Sequence, residues 1–108
     1  MPIKLPEIIA KYVSASNKHD VKAILSCFAE NATVRDEGQT LRGKKDIEGW
    51  ISKTIEKYKF HVKPLGVKGT DQNPIVTVQI SGTFPGSPID LDYHFAIDKN
   101  RIASLKIS

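Results

Sequence analysis

An α+β fold, with three N-terminal helices packed on a curved antiparallel sheet, is what the order of residues predicts, and three observations predict it. Apolar residues recur at three- and four-residue spacing between Ile8 and Phe28 and again between Ile47 and Tyr58, the signature of amphipathic helices. After Lys59 the period changes to two, as in half-buried strands. The segment Asp98-Lys99-Asn100 then reads as a tight hairpin turn joining the last two strands.

Pro6 suits a first helical turn, and Ile8, Ile9, Tyr12, Val13 and Ser16 form the buried stripe of the first helix. The run Asn17-Lys18-His19-Asp20 breaks that stripe. Asp20 is a good N-cap for a second, short helix that buries Val21, Ile24, Leu25 and Phe28 and that Asn31 can end. Residues 32–36 then read as a short strand. Side chains alternate along a strand, so Val34 and Asp36 share one face, taken as the inward one, and Thr33 and Arg35 share the other. Gly38 and Gly43 bracket an expected loop, and Ile47, Trp50, Ile51, Thr54, Ile55 and Tyr58 define the third helix.

Phe60 and Val62 alternate with His61 and Lys63, and Val76, Val78 and Ile80 alternate with Thr77, Gln79 and Ser81. The cleanest alternation runs from Ile89 to Ile97. It places Ile89, Leu91, Tyr93, Phe95 and Ile97 on one face, taken as the inner one, and Asp90, Asp92 and His94 on the other. The Phe84-Pro85-Gly86-Ser87-Pro88 segment reads as a rigid turn, and no phosphate-loop pattern occurs anywhere.

The chain has 108 residues, 40% of them hydrophobic and 26% charged, a folding composition that suits one domain spanning 1–108. With Cys27 the only cysteine, an intrachain disulfide is impossible, and its place between Leu25 and Phe28 reads as a core thiol. The N-terminal residues show no leader-like apolar run and no stretch is long enough to span a membrane, so a cytoplasmic protein without a membrane partner is expected. The net charge of +4 comes from lysines scattered from Lys4 to Lys63 without interleaved aromatics. That is a solvated surface, and no specific nucleic-acid partner is expected. Asp90, Asp92 and His94 alternate on one strand face but have no second cluster to complete a metal site.

The stretch KYVSASNKHDVKAILSCFAENATVRDEG, followed by GKKDIEGW and by SGTFPGSPIDLDYHFAIDKNRIASLKI, resembles the nuclear-transport-factor-2-like superfamily, in particular its SnoaL-like and ketosteroid-isomerase-like branch. The resemblance rests on Asn17, Asp20, Phe28, Ala32, Val34, Asp36, Gly43, Ile47, Trp50 and the Phe95-Ala96-Ile97 hairpin. It implies a cone-shaped fold that encloses a pocket, and a homodimer packed through the outer face of the sheet. In ketosteroid isomerase an aspartate moves a proton beside a carbonyl, while a tyrosine and a protonated aspartic acid stabilise the oxyanion. The resemblance places that base on Asp36 and the tyrosine on Tyr12. It places the protonated acid on Tyr93, a departure that keeps a neutral hydrogen-bond donor but changes its electronics.

Asp36, Tyr12 and Tyr93 are therefore the catalytic candidates, and Trp50, Val34, Phe28, Phe60, Phe84 and Phe95 are expected to line the pocket. Plainer readings stand beside these. Asp36 can cap a loop or pair with Arg35 or Arg42, and the tyrosines and Trp50 can be core residues with their polar atoms satisfied. His94 is read as outward, and His19 and His61 as exposed. Three functions follow: cofactor-independent acid–base chemistry on a small apolar or aromatic carbonyl compound, a carrier with the same pocket and no turnover, or a dimerisation domain with a filled cavity.

Overall fold

The computed structural model describes residues 5–36 and 38–108; Lys4 and Glu37, cited above among the lysines and in the resemblance, lie outside them. Helix α1 spans Glu7–Asn17, α2 Val21–Ser26 and α3 Gly43–Tyr58. The strands are β1 Phe28–Asp36, β2 Gln39–Arg42, β3 His61–Gly69, β4 Pro74–Ser81, β5 Ile89–Asp98 and β6 Arg101–Ile107. They form one six-stranded sheet in the order β2-β1-β6-β5-β4-β3. The helices cover one face of it, the expected α+β arrangement.

Local chemistry accounts for the helix ends. Pro6 caps α1, its carbonyl accepting from the Ile9 and Ala10 amides at 3.0 and 2.9 Å. Asp20 caps α2 as its residue type suggested, with Oδ1 accepting from the Ala23 amide at 3.1 Å. Helix α3 stops at Lys59, whose positive φ of 46° ends the helical path while its amide still bonds the Ile55 carbonyl. The Tyr58 carbonyl also accepts from the Thr83 amide at 2.8 Å. That approach requires Gly82, since a Cβ there would meet the Tyr58 carbonyl oxygen.

The structure corrects the sequence reading at four points. The sheet is mixed: β1 pairs in parallel with β6, Thr33 opposite Ser104 and Val34 opposite Leu105, while the other pairings are antiparallel. The segment between Gly38 and Gly43 is largely strand β2, hydrogen-bonded back onto β1 with Asp36 opposite Gln39. Phe28 begins β1 instead of ending α2, because the helix closes at Ser26 and the Ile102 amide bonds the Cys27 carbonyl at 2.8 Å. His19 is half-buried, not exposed. Its Nε2 lies 2.7 Å from the Phe60 carbonyl oxygen, and a carbonyl only accepts, so that nitrogen carries the proton.

The core lies between the helices and the inner face of the sheet. Phe28, Ile9, Ile24, Ile47, Ile102, Leu105, Val34, Val76 and Val78 are fully buried there. Parity holds in β4, where Val76, Val78 and Ile80 are buried while Thr77 and Gln79 are half-covered on the outer face. Cys27 is also fully buried, its Sγ near the Ala23 carbonyl oxygen at 3.4 Å, and burial raises its thiol pKa. No described helix is long and apolar enough to cross a membrane.

Candidate functional site

A cavity of about 630 Å³ opens between α1, α3 and the sheet. Its closed side is made by buried residues, among them Tyr12, Ile24, Ile51, Ile80 and Tyr93. Exposed Pro85 and Ile89 mark the open side, beside half-buried Phe84, and Ile89 keeps 44% of its surface in solvent. Four elements deliver the polar groups, apart from Ser108 just past β6. Tyr12 and Ser16 come from α1, Asp36 from the end of β1, Trp50, Thr54 and Tyr58 from α3, and Tyr93 from β5.

The two buried tyrosines share a support. Phe95 meets the Tyr12 ring edge-on at 5.8 Å and the Tyr93 ring at 6.0 Å, and Phe28 meets Tyr12 at 5.6 Å. These T-shaped contacts fix the ring planes. The Ser16 hydroxyl donates to the Tyr12 backbone carbonyl at 2.8 Å. Burial pushes the Tyr12 phenol well above its ordinary range, with Tyr93 and, more weakly, Asp36 adding to the rise and Ser16 opposing it. Tyr93 is raised by burial first and by the negative charge of Asp36 second. Both phenols therefore keep their protons near neutral pH and can donate hydrogen bonds.

Asp36 is half-buried and accepts a hydrogen bond on Oδ2 from the Trp50 indole at 3.1 Å. The sequence reading had treated Trp50 as wall or core and did not anticipate this contact. A second hollow, of about 310 Å³, shares Asp36 and Ile107 with the first and is lined also by Arg35, Gly38, Gln39, Thr40 and Lys106. The carboxylate thus lies where the two spaces adjoin.

Of the residues expected to line the pocket, Trp50, Phe60 and Phe84 do so, and Tyr12, Tyr93 and Asp36 border the same cavity. Phe28, Val34 and Phe95 do not. They are buried in the packed core behind the wall, the two phenylalanines bracing Tyr12. Inward parity placed them inside without distinguishing core from void. The sequence reading missed Ser16, Thr54 and Tyr58 as wall residues, although Trp50, Thr54 and Tyr58 recur every fourth residue on one face of α3. Ile80, Leu91 and Ile107, from three neighbouring strands, complete the apolar floor. His94 lies on the outer face as expected, with Nε2 3.0 Å from the Ser108 hydroxyl. Beside it Asp92 accepts from the Thr77 hydroxyl at 2.7 Å, and no described cluster of His, Cys, Asp or Glu could hold a metal ion.

Helices over one face of a curved sheet, enclosing a cavity between them, define a cone-shaped α+β protein of the cystatin-like, nuclear-transport-factor-2-like kind. The chain belongs to the SnoaL-like domain family, whose model matches residues 9–104. It is similar in structure and sequence to a candidate polyketide cyclase from Sinorhizobium meliloti, at 35% identity over 96% of this chain and 95% of that one, with a TM-score of 0.93. A protein with a ketosteroid-isomerase-like fold from Catenulispora acidiphila, solved with trimethylamine, shares the fold at 20% identity and TM-score 0.85, over 97% of this chain and 86% of that one. So does SalBIII, an epoxide hydrolase/cyclase-like enzyme of salinomycin pyran-ring formation, at 20% identity and TM-score 0.82, over 94% and 86%. No curated protein matches the sequence.

Proposed function

We propose that the cavity binds a small, largely apolar or aromatic carbonyl compound and that the protein is an isomerase, cyclase or lyase working by acid–base chemistry. In this reading Asp36 takes a proton from the carbon next to the carbonyl. The C–H electron pair moves into an enolate whose oxygen accepts hydrogen bonds from Tyr12 and Tyr93, and the proton returns to another atom. No organic cofactor is called for by such a step.

One observation carries the reading. A carboxylate and two phenols that stay protonated, brought by β1, α1 and β5, border one cavity and lie close enough for Asp36 to raise both phenols. The volume of about 630 Å³ is within the usual range for small-molecule sites, about 300–1,000 Å³. The Sinorhizobium relative, described as a candidate polyketide cyclase, supports carbonyl chemistry as the class. The mostly apolar wall also favours a second reading, a carrier that holds such a molecule without turnover.

The experiment is α-deuteration of a panel of small cyclic and aromatic ketones, followed by NMR. Turnover by the native protein is expected, with a loss of at least about 10²-fold in Asp36→Asn. Tyr12→Phe and Tyr93→Phe are each expected to cost less, because one phenol remains to serve the oxyanion. Binding with no exchange in any variant would select the carrier.

A further inference from the structure

The carboxylate of Asp36 is held from α3 as well as by its own strand. Trp50 sits on the helix face that borders the cavity, and its Nε1–H donates to Asp36 Oδ2 at 3.1 Å. Its backbone is engaged too, its carbonyl accepting from the Thr54 hydroxyl at 2.7 Å. An indole offers a single N–H and no acceptor, so it favours whichever form of its partner accepts more strongly. For a carboxyl group that is the ionised form, since hydrogen bonds to charged acceptors are the stronger ones.

We infer that Trp50 is a positioning residue whose indole N–H fixes the orientation of the Asp36 carboxylate in the cavity and keeps it ionised. Its catalytic consequence rests on Asp36 being the base; the hold on the carboxylate stands without it. Among the described residues, the phenols of Tyr12 from α1 and Tyr93 from β5 interact electrostatically with the carboxylate, and Arg35 of β1 and Lys106 of β6 line the second hollow with it. Trp50→Phe leaves all four in place. It removes the N–H while keeping an aromatic ring on the wall, so it tests the hydrogen bond while leaving these charged and phenolic groups untouched.

The test is a ¹³C-detected pH titration of the Asp36 carboxyl in the native protein and in Trp50→Phe. The midpoint is expected to rise by about one unit on loss of a hydrogen bond to a charged group; an unmoved midpoint in a folded variant overturns the inference. A second measurement needs no tryptophan substitution. Trp50 is the only tryptophan in the chain, so its emission should change with the Asp36 midpoint and lose that step in Asp36→Asn. Emission with no step at that midpoint also overturns the inference. The two readings separate cleanly. A shifted midpoint with deuteration retained in Asp36→Asn supports positioning and removes the general base; deuteration that needs Asp36 with an unmoved midpoint does the reverse.

Discussion

Asn17 treats Val62 as a strand neighbour would: its Oδ1 accepts from the Val62 amide at 2.7 Å, and its Nδ2 donates to the Val62 carbonyl at 2.9 Å. β3 is an edge strand, so these backbone groups would otherwise face no strand partner, and the end of α1 supplies one. Asn17→Ala removes both bonds at a half-buried site. A loss of about 2 kcal/mol is expected from urea unfolding, at about 1 kcal/mol per net hydrogen bond, with faster hydrogen exchange at the Val62 amide. An unchanged midpoint would show that water replaces the side chain at no cost.

The raised phenols make stability depend on alkaline pH. Tyr12 and Tyr93 have folded pKa values above the unfolded value of 10.0. Above that value the unfolded chain releases phenolic protons that the folded one keeps. Stability from these groups is therefore complete below pH 10 and is lost as pH rises toward the folded values, by up to about 1.4 kcal/mol per pH unit for each tyrosine. Urea midpoints measured at pH 9 and pH 11 check the sign. Tyr93→Phe should flatten the decline, and an equal decline in that variant would place its cause elsewhere.

Core and wall should respond differently to truncation. Phe28 is fully buried, whereas Phe84 is half-buried beside the opening, its ring 5.5 Å from Tyr58. Phe28→Ala is expected to cost about 3–5 kcal/mol of stability, as large core truncations do. Phe84→Ala should cost far less while weakening retention of an apolar ligand. Thermal melts with and without a bound ketone distinguish these outcomes.

Two copies are expected to pack through the outer face of the sheet. There Ile75 lies beside His94, and Thr77 beside Asp92, all half-covered within one chain. A small domain with helices on one side leaves this face needing cover. Sedimentation at micromolar concentration checks it. A dimer should dissociate on Ile75→Asp, and a monomeric native protein would remove the expectation.

Elements built from local pattern were legible in the sequence, and those built by distant pairing were not. The buried stripe of α1, the Asp20 cap and the alternation in β5 all follow from neighbours within a few residues. The parallel union of β1 and β6 joins Thr33 to Ser104, and no local period announces it. β2 was hidden for another reason: its residues are mostly exposed, so it has no apolar face to show. At the site, parity placed Asp36 and Tyr93 on the inner side. It could not separate Phe95, a brace, from Leu91, a wall, because that depends on what the helices leave unfilled above each position. The Trp50–Asp36 bond was out of reach because it depends on the rotamer of a helical side chain crossing to another element.

The parallel seam between β1 and β6 makes the binding site a measure of finished folding. The meander of β3, β4 and β5 can form by adjacent hairpins, whereas Asp36 acquires its place only when the segment holding Ile107 has travelled back across the domain to lie beside β1. Contacts so far apart in sequence carry the heaviest loop-closure cost and form slowly. A partly folded chain can therefore own every local element and still lack the cavity, so ligand occupancy would select the one arrangement in which first and last strands have met.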